Sequence, residues 1–469
     1  MKSIIGTKTM VVSPHYLASM AGSRMLQKGG NAFDASVAIS ACLAVVYPHM
    51  TGLGGDSFWL LHSTHDKQIR AFNGSGRSGY KVTRKAYAGE DSIPYRGSRS
   101  AITVPRMVDS WDAILQEYGR LSLGDVLEPA IVYAATGFPL SKHQHENTVH
   151  NFSLLSRTPI TSSIFTPNKR APHPGERFLQ RKLAKSLQEI ASKGRDYFYK
   201  GSMARQIVSF LENNGGLLTI DDFADHQGDW VTPPSTTYRG HTIYQVPPNS
   251  QGFVGLMTLN ILENYDFTKI EHGSFEYYHL LVEALKSSFH ERNNVLTDPD
   301  FFDIPLEKLV SKEYAAELSQ TLRFHHAKEV TTSSMGSDTA YAAVVDDEGN
   351  AISFIQSLYF EFGSAVVAGN TGILMQNRGS FFSLDPNHVN CLEPRWVWGR
   401  TWGEDSQELK IENRVDSHTI ALLEQAGHTL DVRNDFDPGM GHAQAIRIDE
   451  QGFLSGGVDP RGDGAAIGW

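Results

Sequence analysis

Residues 331 to 357 limit the fold more than any other stretch of this chain. Thr331-Thr332-Ser333-Ser334-Met335-Gly336-Ser337-Asp338 is small and polar and reads as an exposed loop. Thr339 then opens Ala340-Tyr341-Ala342-Ala343-Val344-Val345, which has the length and apolar continuity of a buried strand. Asp346-Asp347-Glu348-Gly349-Asn350 is turn chemistry, and Ala351-Ile352-Ser353-Phe354-Ile355-Gln356-Ser357 is a second strand. A threonine at such a junction has a special option. If the chain is cut between Asp338 and Thr339, the hydroxyl gains an α-amine, which titrates near ~7.7–8.0 and can accept its proton. Nucleophile and base then belong to one residue. Taken alone, a threonine at a strand edge is more often structural.

The remaining organisation agrees with a layered molecule. Residues 15 to 28 read as a helix stopped by Gly29-Gly30, and Asn31 or Asp34 caps a second helix. In that helix Val37, Ala38, Ala41, Cys42 and Val45 form one apolar stripe, ended by Pro48. Residues 106 to 150 are mostly helical, with Pro129 and Gly137 as breaks, and 181 to 214 hold two helices. A strand region runs from Tyr238 to Val246, and residues 275 to 296 form another helix. Two strands flank Asp449-Glu450-Gln451-Gly452. Helices fill the first two-thirds and strand pairs the last third, which predicts an α/β (α+β) sandwich. Length alone suggests about three domains, but no linker, repeat or low-complexity tract divides the chain.

Several function classes are disfavoured. A net charge of −10 and the lack of a basic run argue against nucleic acid. The apolar stretch around Val37 to Tyr47 is too short to span a bilayer. The amino terminus lacks a secretory apolar run, so a soluble cytoplasmic chain is expected. Two cysteines make no disulfide framework. Gly52-Leu53-Gly54-Gly55 precedes a strand, the reverse of a phosphate-binding loop. The segment His143 to His150 is rich in histidine but has no metal-site spacing, so it reads as a solvated helical surface, and no metal or cofactor is expected. Arg461-Gly462-Asp463 reads as a turn, as does Asp298-Pro299-Asp300.

The chain resembles the γ-glutamyltransferase family of N-terminal-nucleophile hydrolases, including its cephalosporin-acylase-like branch. The likeness runs along nearly the whole length. It is carried by Gly29-Gly30-Asn31-Ala32-Phe33-Asp34-Ala35, Pro48-His49-Met50-Thr51-Gly52-Leu53-Gly54-Gly55, Asn213-Asn214-Gly215-Gly216, Pro247-Pro248-Asn249-Ser250-Gln251-Gly252, Gly372-Ile373-Leu374-Met375-Gln376-Asn377 and Asp459-Pro460-Arg461. The resemblance implies a four-layer αββα sandwich and a precursor that cuts itself between Asp338 and Thr339. A large chain, 1–338, and a small chain, 339–469, would then form one compact unit. Thr339 would be the nucleophile and Ser357 its assisting hydroxyl. The implied partners are a small-molecule amide and the two chains of one precursor, and a homodimer or larger assembly is compatible with it. The implied reaction cuts γ-glutamyl, glutaryl-type or cephalosporin side-chain amides through an acyl-threonine.

The chain also departs from that pattern. The family's substrate-gripping Arg, Asn and Asp fall on Ser75, Tyr359 and Phe381. Arg77 and Arg378 remain nearby to hold a carboxylate. This combination suits acyl groups with a terminal carboxylate and no α-amine, such as glutaryl. A family stretch that includes the oxyanion donors has no counterpart where Leu392-Glu393-Pro394 runs into Arg395-Trp396-Val397-Trp398, so those donors are unassigned. The rival readings are a binding protein on a weakened enzyme scaffold and, more weakly, a metal hydrolase using the His143 region.

Overall fold

The computed structural model describes residues 3–329, 332–333, 339–397, 405–406 and 408–469. The strands used below are β1 (Ile4–Gly6), β2 (Met10–Ser13), β3 (Asp56–Ser63), β4 (Gln68–Gly74), β5 (Asp229–Val231), β6 (Ala340–Val345), β7 (Ala351–Ser357), β8 (Gln444–Ile448), β9 (Leu454–Val458) and β10 (Ala465–Gly468). Seven of them make one antiparallel sheet in the order β10-β2-β6-β7-β3-β4-β5. A second sheet, β1-β9-β8, stacks on it.

The period of β6 explains the layering. Ala340, Ala342 and Val344 point into a core built with helices α1 (Tyr16–Gln27), α2 (Ala32–Val46), α3 (Met107–Tyr118), α4 (Leu123–Thr136) and α5 (Arg181–Lys193). Tyr341, Ala343 and Val345 point the other way, against Met10, Val12, Ile446 and Leu454. Both faces of the strand are covered, so its side chains run apolar rather than alternating. A second helical group lies elsewhere: α6 (Phe253–Leu262), α7 (Phe275–Val295), α8 (Lys312–Ser319) and α9 (Ser417–Gln425). The architecture is the four-layer αββα sandwich of N-terminal-nucleophile hydrolases.

Helix α2 shows why the small residues matter. Every one of its residues is buried, so the expected single stripe is replaced by a helix enclosed all round. Asn31 caps it: its Oδ1 accepts from Phe33 and Asp34 N–H at 3.0 and 3.1 Å, and Asp34 answers by accepting Asn31 N–H at 2.9 Å. Asp346, at the β6–β7 turn, ties this helix to the hairpin. Its Oδ2 accepts Ala32 N–H at 2.8 Å, and its Oδ1 accepts Glu348 and Asn350 N–H at 3.0 and 2.9 Å.

Three local expectations are corrected. Pro129 lies inside α4 rather than breaking it, while Gly137, at φ 85°, does end the helix. Residues 181 to 214 hold three helices, because Arg195–Tyr199 forms a short one between α5 and Ser202–Asn213. The strand region from Tyr238 is one arm of a hairpin, Ser235–Tyr238 with His241–Tyr244. No helix among the described residues is long and apolar enough to cross a membrane.

Candidate active site

Register gathers the site. The β6–β7 ladder pairs Ala340 with Gln356, so one step further along Thr339 stands opposite Ser357. Ser357 is paired with Asp56 on β3. The β3–β4 ladder pairs Ser57 with Gly74, which brings Ser75 opposite Asp56. Thr339, Ser357, Asp56 and Ser75 therefore form one row across four adjacent strands. Residues paired across an antiparallel sheet project from the same face. For this row it is the face away from α2, because Gln356, one residue before Ser357, reaches back to Ser40 on α2. Thr339 is exposed, whereas Ser357, Asp56 and Ser75 are buried. Asp338, the other half of the expected cleavage site, lies outside the described residues.

Glycines let the backbones of this row come close. A Cβ on Gly54 would lie 2.1 Å from the Leu374 carbonyl oxygen, and one on Gly55 would lie 2.3 Å from that of Ser357. The Gly52–Gly55 motif is thus a close-packing device beneath the site. The loop leaving Ser357 is strained. Tyr359, Phe362 and Ala365 have φ of 86°, 58° and 59°, values that side-chain-bearing residues rarely adopt. It is held by Leu358 and Phe362 N–H donating to Met50 and His49 carbonyls at 2.9 and 2.7 Å. Ser357 Oγ accepts Tyr359 N–H at 2.8 Å.

This loop assembles an aromatic wall. The Tyr359 and Phe381 rings lie 4.0 Å apart, with Phe360 5.4 Å and Tyr95 5.9 Å from Phe381. Arg378 lies 4.8 Å over the Tyr359 ring and places Nε 2.6 Å from Asp56 Oδ2. The Arg378 and Asp56 side chains are 7% and 1% exposed, so this is a dry ion pair. The N–H is not aligned on the oxygen, which makes it a charge contact more than an aligned hydrogen bond.

The structure therefore brings Ser357, Tyr359, Arg378 and Phe381 together beside Thr339. Asp56 was missed in the sequence, where it looks like the first residue of a strand. Only its register with Ser357 reveals it. Ser75 is buried and bonded to Asn73 and Asn249. Arg77 is committed elsewhere: its guanidinium pairs with Asp298 at 2.9 Å and with Asp300, and donates to the Arg395 carbonyl at 3.0 Å. The Asp298-Pro299-Asp300 turn is a clamp for that arginine.

Pro394 and Arg395 lie in one tight turn, in which Trp396 N–H donates to the Glu393 carbonyl at 3.4 Å and Arg395 takes φ 68°. Ser78 seals it, with Oγ 2.7 Å from the Glu393 carbonyl and its own carbonyl accepting Arg395 N–H at 3.2 Å.

The His143 region is not simply a solvated face. His143 is buried, and its Nδ1 lies 2.8 Å from Tyr47 Oη and 3.1 Å from His49 Nε2. Burial lowers the His15 and His143 pKa values to about 3 and holds His49 well below the usual histidine range. These imidazoles are neutral packing groups, and His49 stands against Phe362 of the strained loop. The half-buried Arg461 is committed to ion pairs with Glu412 at 2.6 Å and Asp459 at 2.9 Å, so Arg461-Gly462-Asp463 does not present a free arginine.

Comparison with known proteins places the chain in a family. The family model described as gamma-glutamyltranspeptidase matches residues 18–396 and 391–469. The glutathione hydrolase-like YwrD proenzyme of Bacillus subtilis is 58% identical, covering 100% of this chain and 99% of the relative. The oxamate amidohydrolase proenzyme of Klebsiella pneumoniae is 35% identical, over 100% and 99%. The crystal structure of cephalosporin acylase from Bacillus halodurans superposes with a TM-score of 0.92 at 31% identity, covering 100% of this chain and 97% of that one. The YwrD alignment extends over 523 positions against 469 residues here, and the two family-model segments meet at 391–396, where the Pro394–Arg395 turn lies. The chain belongs to the γ-glutamyltranspeptidase family.

Proposed function

We propose that this protein is a self-cleaving amidohydrolase and acyltransferase whose nucleophile is Thr339. The observation that carries this reading is the position of Thr339 at the open end of β6, in register with Ser357 and on one row with Asp56. In the first stage Thr339 Oγ attacks the Asp338 carbonyl, the C–N bond breaks so that an ester forms and the Thr339 α-amine is freed, and water then hydrolyses the ester to release the Asp338 carboxylate and restore the hydroxyl. In the second stage that amine takes the hydroxyl proton as Oγ attacks a substrate amide, the leaving amine departs protonated, and an acyl-threonine remains. Water or an acceptor amine then removes the acyl group. Large chain 1–338 and small chain 339–469 stay together because β6 and β7 sit in the middle of the sheet.

Arg378 is the proposed holder of a substrate carboxylate, with Tyr359 and Phe381 packing on the acyl chain. Arg77 drops out of this role because Asp298 and Asp300 occupy it. The substrate class is an amide whose acyl group carries a carboxylate, of γ-glutamyl or glutaryl type. Asp56 bears on the choice between them. It already neutralises Arg378, so a glutaryl group adds one net negative charge, whereas a γ-glutamyl group brings its own ammonium.

The direct test is a denaturing gel with amino-terminal sequencing of the smaller piece. Purified protein should give two unequal fragments, the smaller starting at Thr339, and Thr339→Ala should stay intact and inactive toward acyl anilides. Active material that is intact across this junction would defeat the reading. The missing family stretch favours a second reading, a weakened binding protein, since losing an oxyanion donor costs ~10²–10³ in rate. Cleaved protein that releases no anilide from any carboxylate-bearing acyl donor would support that second reading.

A further inference from the structure

Away from this site, one group of three metal-ligating side chains converges among the described residues: His279, Glu283 and His428, with candidate ligand atoms all within 4.8 Å of one another. They are 1%, 2% and 6% exposed. His279 and Glu283 sit four residues apart on α7, hence on one helix face. His428 arrives from the end of α9, where Gly427 takes φ 94° and His428 N–H returns to the Leu423 carbonyl at 3.1 Å.

The hydrogen bonds preset the ligand atoms. His279 Nε2 lies 2.7 Å from the Arg323 carbonyl oxygen, which can only accept, so Nε2 carries the proton. The lone pair of His279 is therefore on Nδ1, and Nδ1 faces His428 Nε2 at 2.9 Å. A ring nitrogen fixed from behind by a backbone carbonyl is the outer-shell arrangement of metal-bound histidine. Glu283 is a buried carboxylate that needs a cation. Lys286 Nζ meets one oxygen at 2.9 Å, and Lys328 N–H meets the other at 3.0 Å. The Lys286 side chain is 16% exposed and can swing outward. Two imidazole nitrogens and one carboxylate oxygen are a donor set for a zinc-class divalent ion.

We propose that His279, Glu283 and His428 form a structural site for a divalent transition metal of the zinc class. The ion replaces the shared His279–His428 proton contact, the His428 proton moves to Nδ1, and the ion displaces Lys286 as the counter-charge of Glu283. His279 and Glu283 precede Thr339 in sequence and His428 follows it. The ion thus ties together the two sides of that residue, whether or not the bond before it is cut.

The test uses the full chain, dialysed against a chelator and then titrated with zinc or cobalt(II). One equivalent should bind per chain by elemental analysis, the cobalt form should show visible bands of a low-coordinate site, and zinc should raise Tm by about 2–4 °C or more. Glu283→Gln, which keeps the volume, and His428→Ala should each lose the equivalent and the Tm rise. Thr339→Ala should keep both, which separates this proposal from the reading of Thr339. Less than about a tenth of an equivalent in the wild type, or stoichiometric binding unchanged in Glu283→Gln, would overturn it.

Discussion

Asp56 does not stand out in the sequence and Arg378 does so only as a candidate carboxylate holder, yet together they form a dry ion pair beside the candidate nucleophile. Removing one partner of such a pair leaves a buried charge and typically costs ~3–5 kcal/mol. Asp56→Asn is therefore expected to lower the urea midpoint strongly, and Asp56→Asn with Arg378→Met should recover part of the loss. Asp56→Asn alone should also shift preference from γ-glutamyl toward glutaryl anilides through KM, because its amide no longer neutralises Arg378. An unchanged ratio of the two substrates would show that Asp56 does not face the acyl pocket. The junction at Thr339 offers a nucleophile as one option, and the family resemblance is what puts that role on it. Ser357 was assigned only by resemblance, and its register opposite Thr339 now gives it a geometric place. Tyr359, Arg378 and Phe381 do cluster. Arg77 does not join them, because carboxylates more than two hundred residues away claim it, and spacing along a chain cannot report that.

Among elements, the β6–β7 hairpin and α2 act as one unit through Asp346. One carboxylate collects Ala32, Glu348 and Asn350 backbone N–H groups, plus the Asn350 amide at 2.9 Å. Replacing it with alanine orphans buried donors, each worth ~1–3 kcal/mol. Asp346→Ala should thus destabilise by at least ~2 kcal/mol and raise hydrogen exchange at the start of α2. Full protection of Ala32 in that variant would contradict the coupling. The turn itself was legible, since Asp, Gly and Asn have local conformational reasons to be there. Its grip on α2 was not, because that contact closes a loop of some three hundred residues. The enclosure of α2 was also hidden: a helix of small and apolar residues reads equally well as one-sided until its neighbours are known.

At the scale of the whole molecule, burial of neutral histidines makes stability depend on pH. His15 and His143 have folded pKa values of about 3, against ~6.5 unfolded, so below ~6.5 the unfolded chain binds more protons. Stability is then full above that pH and falls as pH drops from ~6.5 toward ~3, by on the order of 2 kcal/mol for each group at pH 5. Urea midpoints at pH 7.5 and 5 should differ accordingly. The slope should be shallower in His15→Asn, whose amide can keep the cap on Leu17 that His15 Nδ1 now provides at 3.3 Å. A flat profile between these pH values would refute the neutral-cluster account. The sequence by itself determined the stop of α1 and the cap of α2, the buried hairpin, the turn at Asp346 and the threonine at its edge, because these rest on steric and hydrogen-bond preferences a few residues long. Only the tertiary structure decided which strands lie side by side, and so that Thr339, Ser357, Asp56 and Ser75 share a row. That choice depends on the relative free energies of long-range pairings and of burying charge in pairs, which no local stretch of residues encodes.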